Sequence, residues 1–107
     1  MSGELITIYW RDIPAQVTAR SGRVKASVQL SDRFQIAIDK AAVRAGKHTT
    51  NDYLEEWRRE SEPCGADLQL AVDEAATRLE TEFTADVLDQ LVASGGLRPG
   101  AKEGNGS

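Results

Sequence analysis

The sequence predicts an α+β fold, with a three-stranded antiparallel sheet at the N-terminal end followed by three to four helices packed on it. Up to residue 30, residues of high β propensity and alternating polarity dominate, which is typical of strands. Beyond residue 30, apolar side chains recur every three or four positions, which is typical of helices. Because the strands come first and the helices follow, the order favours α+β over alternating α/β units.

The first strand is predicted at Leu5–Trp10, which is rich in β-branched and aromatic residues. Its side chains alternate between two faces, with Ile6, Ile8 and Trp10 on one and Leu5, Thr7 and Tyr9 on the other. Both faces are fairly apolar, so we expect this strand to be central in its sheet. Pro14 is expected to end the run, because proline has a fixed φ and no N–H donor.

A hairpin with a basic tip is predicted next. Its strands are Gln16–Arg20 and Arg23–Leu30, and Gly22 supplies the positive φ that the tight turn between them needs. Strict alternation of apolar and polar residues in the third strand predicts one solvated face. We call the tip the basic hairpin, because three cations converge there: Arg20, Arg23 and Lys25.

Four helices are predicted to follow. The first lies between the N-cap Ser31 and the C′ residue Gly46, and the second between Thr49 or Thr50 and the break at Pro63-Cys64-Gly65. The third covers about residues 66–83 and the fourth about residues 85–94. The predicted buried stripes, in the order of the four helices, are as follows: Phe34, Ala37, Ile38, Ala41 and Ala45 in the first; Tyr53, Leu54 and Trp57 in the second; Leu68, Val72, Ala75, Leu79 and Phe83 in the third; and Leu88, Leu91 and Val92 in the fourth.

Length and charge narrow the class of protein. The 107 residues allow one domain, predicted at residues 1–94, and residues 95–107 are expected to be a disordered tail because they are poor in apolar side chains. Residues 1–48 carry eight basic and four acidic side chains, and residues 49–107 carry five basic and thirteen acidic ones. The balances of +4 and −8 sum to the net charge of −4 and predict a molecule with a basic end and an acidic end.

We expect a cytoplasmic protein without a membrane segment or a cofactor. The single cysteine excludes an internal disulfide, no secretory signal pattern opens the chain, and no run of 18 apolar residues occurs. His48 and Cys64 are the only residues of their types, too few for a metal site of the usual ligand number. The sequence therefore predicts no metal ligand and no catalytic residue, and His48 is interpreted as an exposed loop residue.

Cys64 leaves an alternative open. If the third helix begins at Gly65 or Ala66, the thiol lies near a helix N-terminus, which lowers a thiol pKa. A packing thiol is the favoured interpretation. A small thiol-dependent enzyme or carrier is the alternative, although the sequence does not place a base beside the thiol.

Two aromatic–arginine clusters are candidate partner-binding sites: Tyr9-Trp10-Arg11-Asp12 and Trp57-Arg58-Arg59. Trp, Tyr and Arg are enriched in interface hot spots. The competing interpretation puts both tryptophans in the core, with the arginines reaching out to water.

Surface charge suggests two further partner classes. Nine carboxylates and one arginine lie between Glu60 and Asp89, which indicates either a solvated helix face or a docking face for a basic partner. Weak nucleic-acid binding through the basic hairpin is a third alternative, disfavoured by the net charge and by the absence of a recognised motif.

Three segments resemble the small bacterial virulence factor domain proteins, especially the stand-alone type common in alphaproteobacteria. They are residues 6–17 (ITIYWRDIPAQV), 33–42 (RFQIAIDKAA) and 53–59 (YLEEWRR), and the resemblance covers about residues 4–94. It implies an accessory subunit linked to corrinoid- and folate-dependent one-carbon methyl transfer, and it supplies no catalytic residue. We therefore expect a non-catalytic accessory protein with a larger protein partner, and homo-oligomerisation is left open.

Overall fold

The computed structural model describes residues 3–47 and 49–98. These residues form an α+β fold, as predicted, but its antiparallel sheet has four strands instead of three. In chain order the elements are β1 (Gly3–Trp10), β2 (Ile13–Ser21), β3 (Val24–Gln29), α1 (Asp32–Arg44), α2 (Thr50–Glu55), β4 (Trp57–Cys64), α3 (Leu68–Glu82) and α4 (Ala85–Ala93).

The sheet has the strand order β3-β2-β1-β4, and all neighbours are antiparallel. The predicted central position of β1 is confirmed. The prediction that Pro14 interrupts the strand structure is wrong, because Pro14 lies inside β2 opposite Tyr9, where the register shifts at a bulge. A bulge interrupts the ladder of hydrogen bonds, so a residue without an N–H is tolerated there.

The fourth strand occupies residues that the sequence assigned to the second helix. α2 ends at Glu55, and β4 pairs with β1 over its whole length, from Gly3 opposite Cys64 to Trp10 opposite Trp57. Six consecutive residues of β4, from 58 to 63, are exposed, so the strand carries no apolar alternation that would reveal it. Pairing satisfies the backbone groups along the second edge of β1, and a short helix on its own is only marginally stable.

The core lies between one face of the sheet and the helices α1 and α3, and α4 packs against α1. The stripe predicted for the third helix, from Leu68 to Phe83, is buried in full. In the stripe predicted for the first helix, only Ala45, which follows the end of α1, is less than fully buried. Among the largest side chains of the core are Trp10, Ile13, Phe34, Ile38, Val72 and Leu91. None of the helices in the described parts of the chain is long and apolar enough to cross a membrane.

On the other face of the sheet, β2 and β3 are largely polar, as the alternation of β3 predicts, whereas β1 contributes Ile6 and Ile8. Thr18 and Ser27 share a hydrogen bond of 3.0 Å across β2 and β3, and the Arg20 guanidinium lies 3.1 Å from the Glu4 carboxylate. Gly22 has a φ of 59°, which confirms the predicted hairpin turn. All three cations of the basic hairpin are exposed, and the charge of Arg20 is partly neutralised by Glu4.

The two halves of opposite charge are interleaved by the fold. Insertion of β4 beside β1 brings residues of the acidic half next to the first strand. Within residues 3–47 and 49–98, four ion pairs join the halves: Arg11–Glu56 (3.1 Å), Lys47–Glu56 (3.4 Å), Arg33–Glu80 (3.0 Å) and Arg58–Asp12 (3.4 Å). The prediction of separate basic and acidic ends therefore fails for the charges that these pairs neutralise.

Candidate functional site

The turn between β1 and β2 is the meeting point of three parts of the chain. Arg11 has a φ of 54°, a conformation that costs energy for a residue other than glycine. The Arg11 N–H donates to the Glu56 carbonyl at 3.0 Å, and the Asp12 N–H donates to the Gly96 carbonyl at 2.9 Å. These bonds tie the turn to the start of β4 and to the segment after α4, and so hold the strained residue in place.

The Arg11 side chain is only 13 % exposed and has two partners. Its Nη1 donates to the Gly95 carbonyl at 3.0 Å, and its Nε lies 3.1 Å from Oε1 of Glu56. Burial on its own raises the pKa of Glu56. Hydrogen bonds and charge attraction from Arg11 and Lys47 outweigh that effect, so the pKa of Glu56 is lowered. Glu56 is therefore an ionised anchor of the fold at neutral pH.

Trp10 belongs to the core, which decides between the two interpretations of this side chain. It is fully buried, its Nε1 donates to the Tyr53 carbonyl at 2.9 Å, and its ring stacks on Tyr53 at 5.8 Å. Trp57 is partly buried and meets the Tyr53 ring edge-on, also at 5.8 Å. Both aromatic side chains therefore stabilise the contact between α2 and the sheet.

The two predicted aromatic–arginine clusters form one network. Oδ1 of Asp12 lies 3.4 Å from the Arg58 guanidinium, and Oδ2 accepts the Arg98 N–H at 2.6 Å. The same guanidinium lies 4.6 Å from the centroid of the Tyr9 ring. Arg59 is the exception, because it is exposed in β4 opposite Ile8. Most members of the network are held by contacts with other parts of the chain, and these contacts stabilise the fold.

Cys64 is the last residue of β4 and is partly buried. The helix that follows begins at Leu68, and Asp67 caps it by accepting the Leu70 N–H at 3.1 Å. The thiol is therefore not at a helix N-terminus, which was the structural condition of the thiol-dependent alternative. His48, the only candidate base, lies outside the described residues.

A groove runs between β4 and α3, and we call it the β4–α3 groove. Its larger part has a volume of about 490 Å³, with a floor that includes Leu5, Ala71 and Ala75 and with Cys64 and Leu70 in its lining. A second part of about 230 Å³ continues past Tyr9, and Glu62 and Arg78 line both parts. The groove exists because α3 packs over β1, β2 and β3 and leaves the inner face of β4 uncovered.

The β4–α3 groove is acidic. Four of the nine carboxylates in the predicted acidic run line it, namely Glu60, Glu62, Asp67 and Glu74, against the one cation Arg78. Burial raises the pKa of the Tyr9 phenol, Glu60 raises it further, and Arg58 acts in the opposite direction. Tyr9 is thus a neutral hydroxyl at one end of a groove with negative walls.

Sequence reasoning identified the acidic run but not the groove. The charge count suggested a docking face for a basic partner, although it placed that face on helices. The strand that forms one wall was assigned to the second helix, so Leu5 and Leu70 could not be recognised as parts of one surface. No signal in the exposed residues of β4 reveals this wall. In residues 3–47 and 49–98, no three His, Cys, Asp or Glu side chains are grouped to hold a metal ion.

Comparisons with known proteins give one match. Residues 8–92 match the model of a protein family described as virulence factor. No curated protein and no solved structure matches the chain. The matched region runs from the end of β1 into α4 and contains both walls of the β4–α3 groove.

Proposed function

We propose that this chain, which belongs to the virulence factor family, is a non-catalytic accessory protein that binds an extended basic segment of a larger protein. The observation that carries the proposal is the β4–α3 groove, with its apolar floor and its carboxylate walls. The proposal replaces the predicted docking site at the aromatic–arginine clusters, because Trp10, Arg11 and Asp12 are engaged within the fold.

The position of β4 supports an extended ligand. β4 pairs with β1 along one edge, and the described residues place no strand along its other edge. Such an edge presents backbone N–H and C=O groups that an added strand can pair with. A segment that lies along β4 directs alternate side chains toward α3, where Leu70 is 50 % exposed.

The charge of the groove supports a basic ligand. An exposed ion pair contributes only about 0.2 to 1 kcal/mol. Backbone pairing and apolar contacts would therefore supply most of the affinity, and the carboxylates would select against acidic segments and accelerate association. Glu62 and Glu74, one from each wall, are the residues whose charge this proposal requires most directly.

The family resemblance supplies a first partner class for this proposal. It implies that the chain serves a corrinoid- or folate-dependent methyl-transfer enzyme in the bacterial cytoplasm. An enzyme of that class is accordingly the first larger protein to examine for a basic segment that binds the groove.

The test is a binding titration with two labelled ten-residue peptides, one alternating Lys with Val and one alternating Glu with Val. We expect only the basic peptide to bind, with NMR shifts concentrated on the backbone amides of β4. The double variant Glu62→Lys/Glu74→Lys should weaken its binding at least about tenfold. Glu55→Lys, an exposed change at the end of α2, is the matched control. Equal binding of both peptides, or shifts remote from β4, would contradict the proposal.

A second candidate function is a thiol-dependent carrier or enzyme, favoured by one observation: Cys64 lines the same groove. The rate of alkylation by iodoacetamide as a function of pH tests it, with Cys64→Ser as the blank. A reactive thiol gives a midpoint well below that of a free cysteine peptide. An ordinary midpoint, or no reaction, removes this candidate.

A further inference from the structure

Thr7 is a buried polar residue of β1 that lines the smaller part of the β4–α3 groove. The residue is only 7 % exposed, and it is the one buried polar or charged residue in the described parts of the chain. No other described side chain or carbonyl exchanges a hydrogen bond with its hydroxyl. Buried polar groups normally have a partner. The Thr7 hydroxyl therefore marks a position where a polar group of a ligand would gain a hydrogen bond.

Two further oxygen groups line the same part of the groove. Glu60 lies directly opposite Thr7 in the pairing of β1 with β4, and Tyr9 is the next residue of β1 on that face. Arg58 donates to Oε2 of Glu60 at 3.3 and 3.0 Å, and Oε1 has no partner among the described residues. The carboxylate and the two hydroxyls thus form a set of three hydrogen-bond acceptors around a cavity of about 230 Å³.

The charges around these acceptors favour a cation. Arg78 is the one cation among the residues that line this part of the groove. On α3 it lies one helical turn from Glu74 on one side and one turn from Glu82 on the other, so its charge is offset from both directions. Glu60 and Glu62, which line the opposite wall, leave the site negative. A cation with three hydrogen-bond donors fits the three acceptors, and the ammonium of lysine is such a group.

The position of the acceptors selects the length of the cationic side chain. A segment that pairs with the outer edge of β4 lies two strand spacings from β1, roughly 9 to 10 Å. Its cation must therefore extend past Glu60 before it reaches the hydroxyls of Thr7 and Tyr9. Lysine carries its ammonium on a flexible four-carbon stem, which is long enough to cover most of this distance.

We propose that the smaller part of the β4–α3 groove is a lysine subsite, in which Glu60, Thr7 and Tyr9 accept hydrogen bonds from the ammonium of a lysine in the bound segment. This inference rests on the proposed function, because an extended segment along β4 must carry the lysine. It adds a requirement for side-chain length that charge alone does not impose. A shorter amine would reach the carboxylates of β4 but not the two hydroxyls of β1.

Two labelled ten-residue peptides of equal charge test the subsite on the full chain. One alternates Lys with Val, and the other alternates α,γ-diaminobutyric acid, whose side chain is two methylenes shorter, with Val. In titrations at a mildly acidic pH, where both amines are charged, the lysine peptide should bind at least about tenfold more tightly. Equal affinities would overturn the lysine subsite and leave the proposed function standing. If neither peptide binds, both proposals fall.

Variants of the chain test whether the hydroxyls cause the difference. Thr7→Val and Tyr9→Phe each remove one hydroxyl, and each should weaken binding of the lysine peptide about three- to tenfold while leaving binding of the shorter peptide unchanged. Tyr53→Phe is the matched control, because Tyr53 lies in α2 and stacks on Trp10 outside the groove. Circular dichroism verifies that the three variants fold. Substitutions in the groove that weaken both peptides equally, or neither, would contradict the lysine subsite.

Discussion

Gly96 packs against the indole of Trp10 so closely that a Cβ atom at position 96 would lie 2.8 Å from Cζ3 of the ring. The φ of Gly96 is 92°, a backbone conformation that glycine adopts without strain. The contact joins the segment after α4 to the first strand of the sheet. Gly95 to Arg98 are thus part of the packed structure, whereas the sequence suggested a disordered tail from residue 95 onward. Residues 99–107, the rest of that predicted tail, lie outside the described residues.

Gly96→Ala should therefore lower the free energy of unfolding by about 2 to 4 kcal/mol, through a strained φ and overpacking on Trp10. Gly46→Ala is the matched control, because Gly46 has a φ of 74° but a Cβ added there would meet no atom within 4 Å. The control should lose only about 1 kcal/mol. Urea denaturation measures both values. Equal losses in the two variants would show that the Trp10 contact adds nothing.

Glu56 should make the stability of the chain depend on pH in the acidic range. Its pKa in the folded state is lowered from the ordinary value of 4.5 by the hydrogen bonds and charges of Arg11 and Lys47. The stabilisation is therefore fully present above that ordinary value and is lost as the pH falls through the folded-state pKa. Glu56→Gln should be about 1 to 3 kcal/mol less stable at pH 7 and should lose less stability on acidification. Urea midpoints between pH 7 and pH 3 give the comparison. If the urea midpoints of the two proteins fell by the same amount between pH 7 and pH 3, this role of Glu56 would be contradicted.

The pKa of the Tyr9 phenol should depend on the charges in and beside the β4–α3 groove. Burial, as the larger cause, and the charge of Glu60 raise the pKa of this phenol above the ordinary value of 10.0. The phenol should therefore ionise at a higher pH than that of a free tyrosine. Glu60→Gln should lower this pKa, and Arg58→Gln should raise it, because the two charges act in opposite directions. Ultraviolet titration measures the pKa, and Tyr9→Phe identifies the phase that belongs to this side chain. Identical titrations of the two charge variants would show that the groove charges do not act on Tyr9.

Arg33 should stabilise the end of α3. Its Nη2 donates to the carbonyls of Glu80 and Phe83 at 2.8 and 3.0 Å, and its Nη1 lies 3.0 Å from the Glu80 carboxylate. Arg33→Ala leaves these carbonyls without their donor and should cost about 1 to 3 kcal/mol. Arg23→Ala, an exposed change in the hairpin turn, should cost less than about 0.5 kcal/mol. Thermal unfolding of the two variants distinguishes the effects, and equal melting temperatures would refute the contribution of Arg33.

Local sequence patterns determined the elements whose side chains face the core. The alternation of β3, the glycine of the hairpin turn and the apolar stripes of α1, α3 and α4 predicted these elements to within a few residues. Such patterns are visible because burial on one side imposes a period of two in a strand and of 3.6 in a helix. The apolar character of both faces of β1 likewise predicted its central position.

The tertiary structure alone decided the features that depend on contacts distant in sequence. β4 is stabilised by backbone pairing with β1, more than 45 residues away, and its exposed side chains carry no period. Similarly, Arg11 finds Glu56 and Gly95 only once the turn, the start of β4 and the segment after α4 have met. The sequence by itself therefore determined the α+β class, the family and the acidic character of the second half. The tertiary structure decided that four of those acidic side chains line one groove, because the wall formed by β4 is a strand only through its pairing with β1.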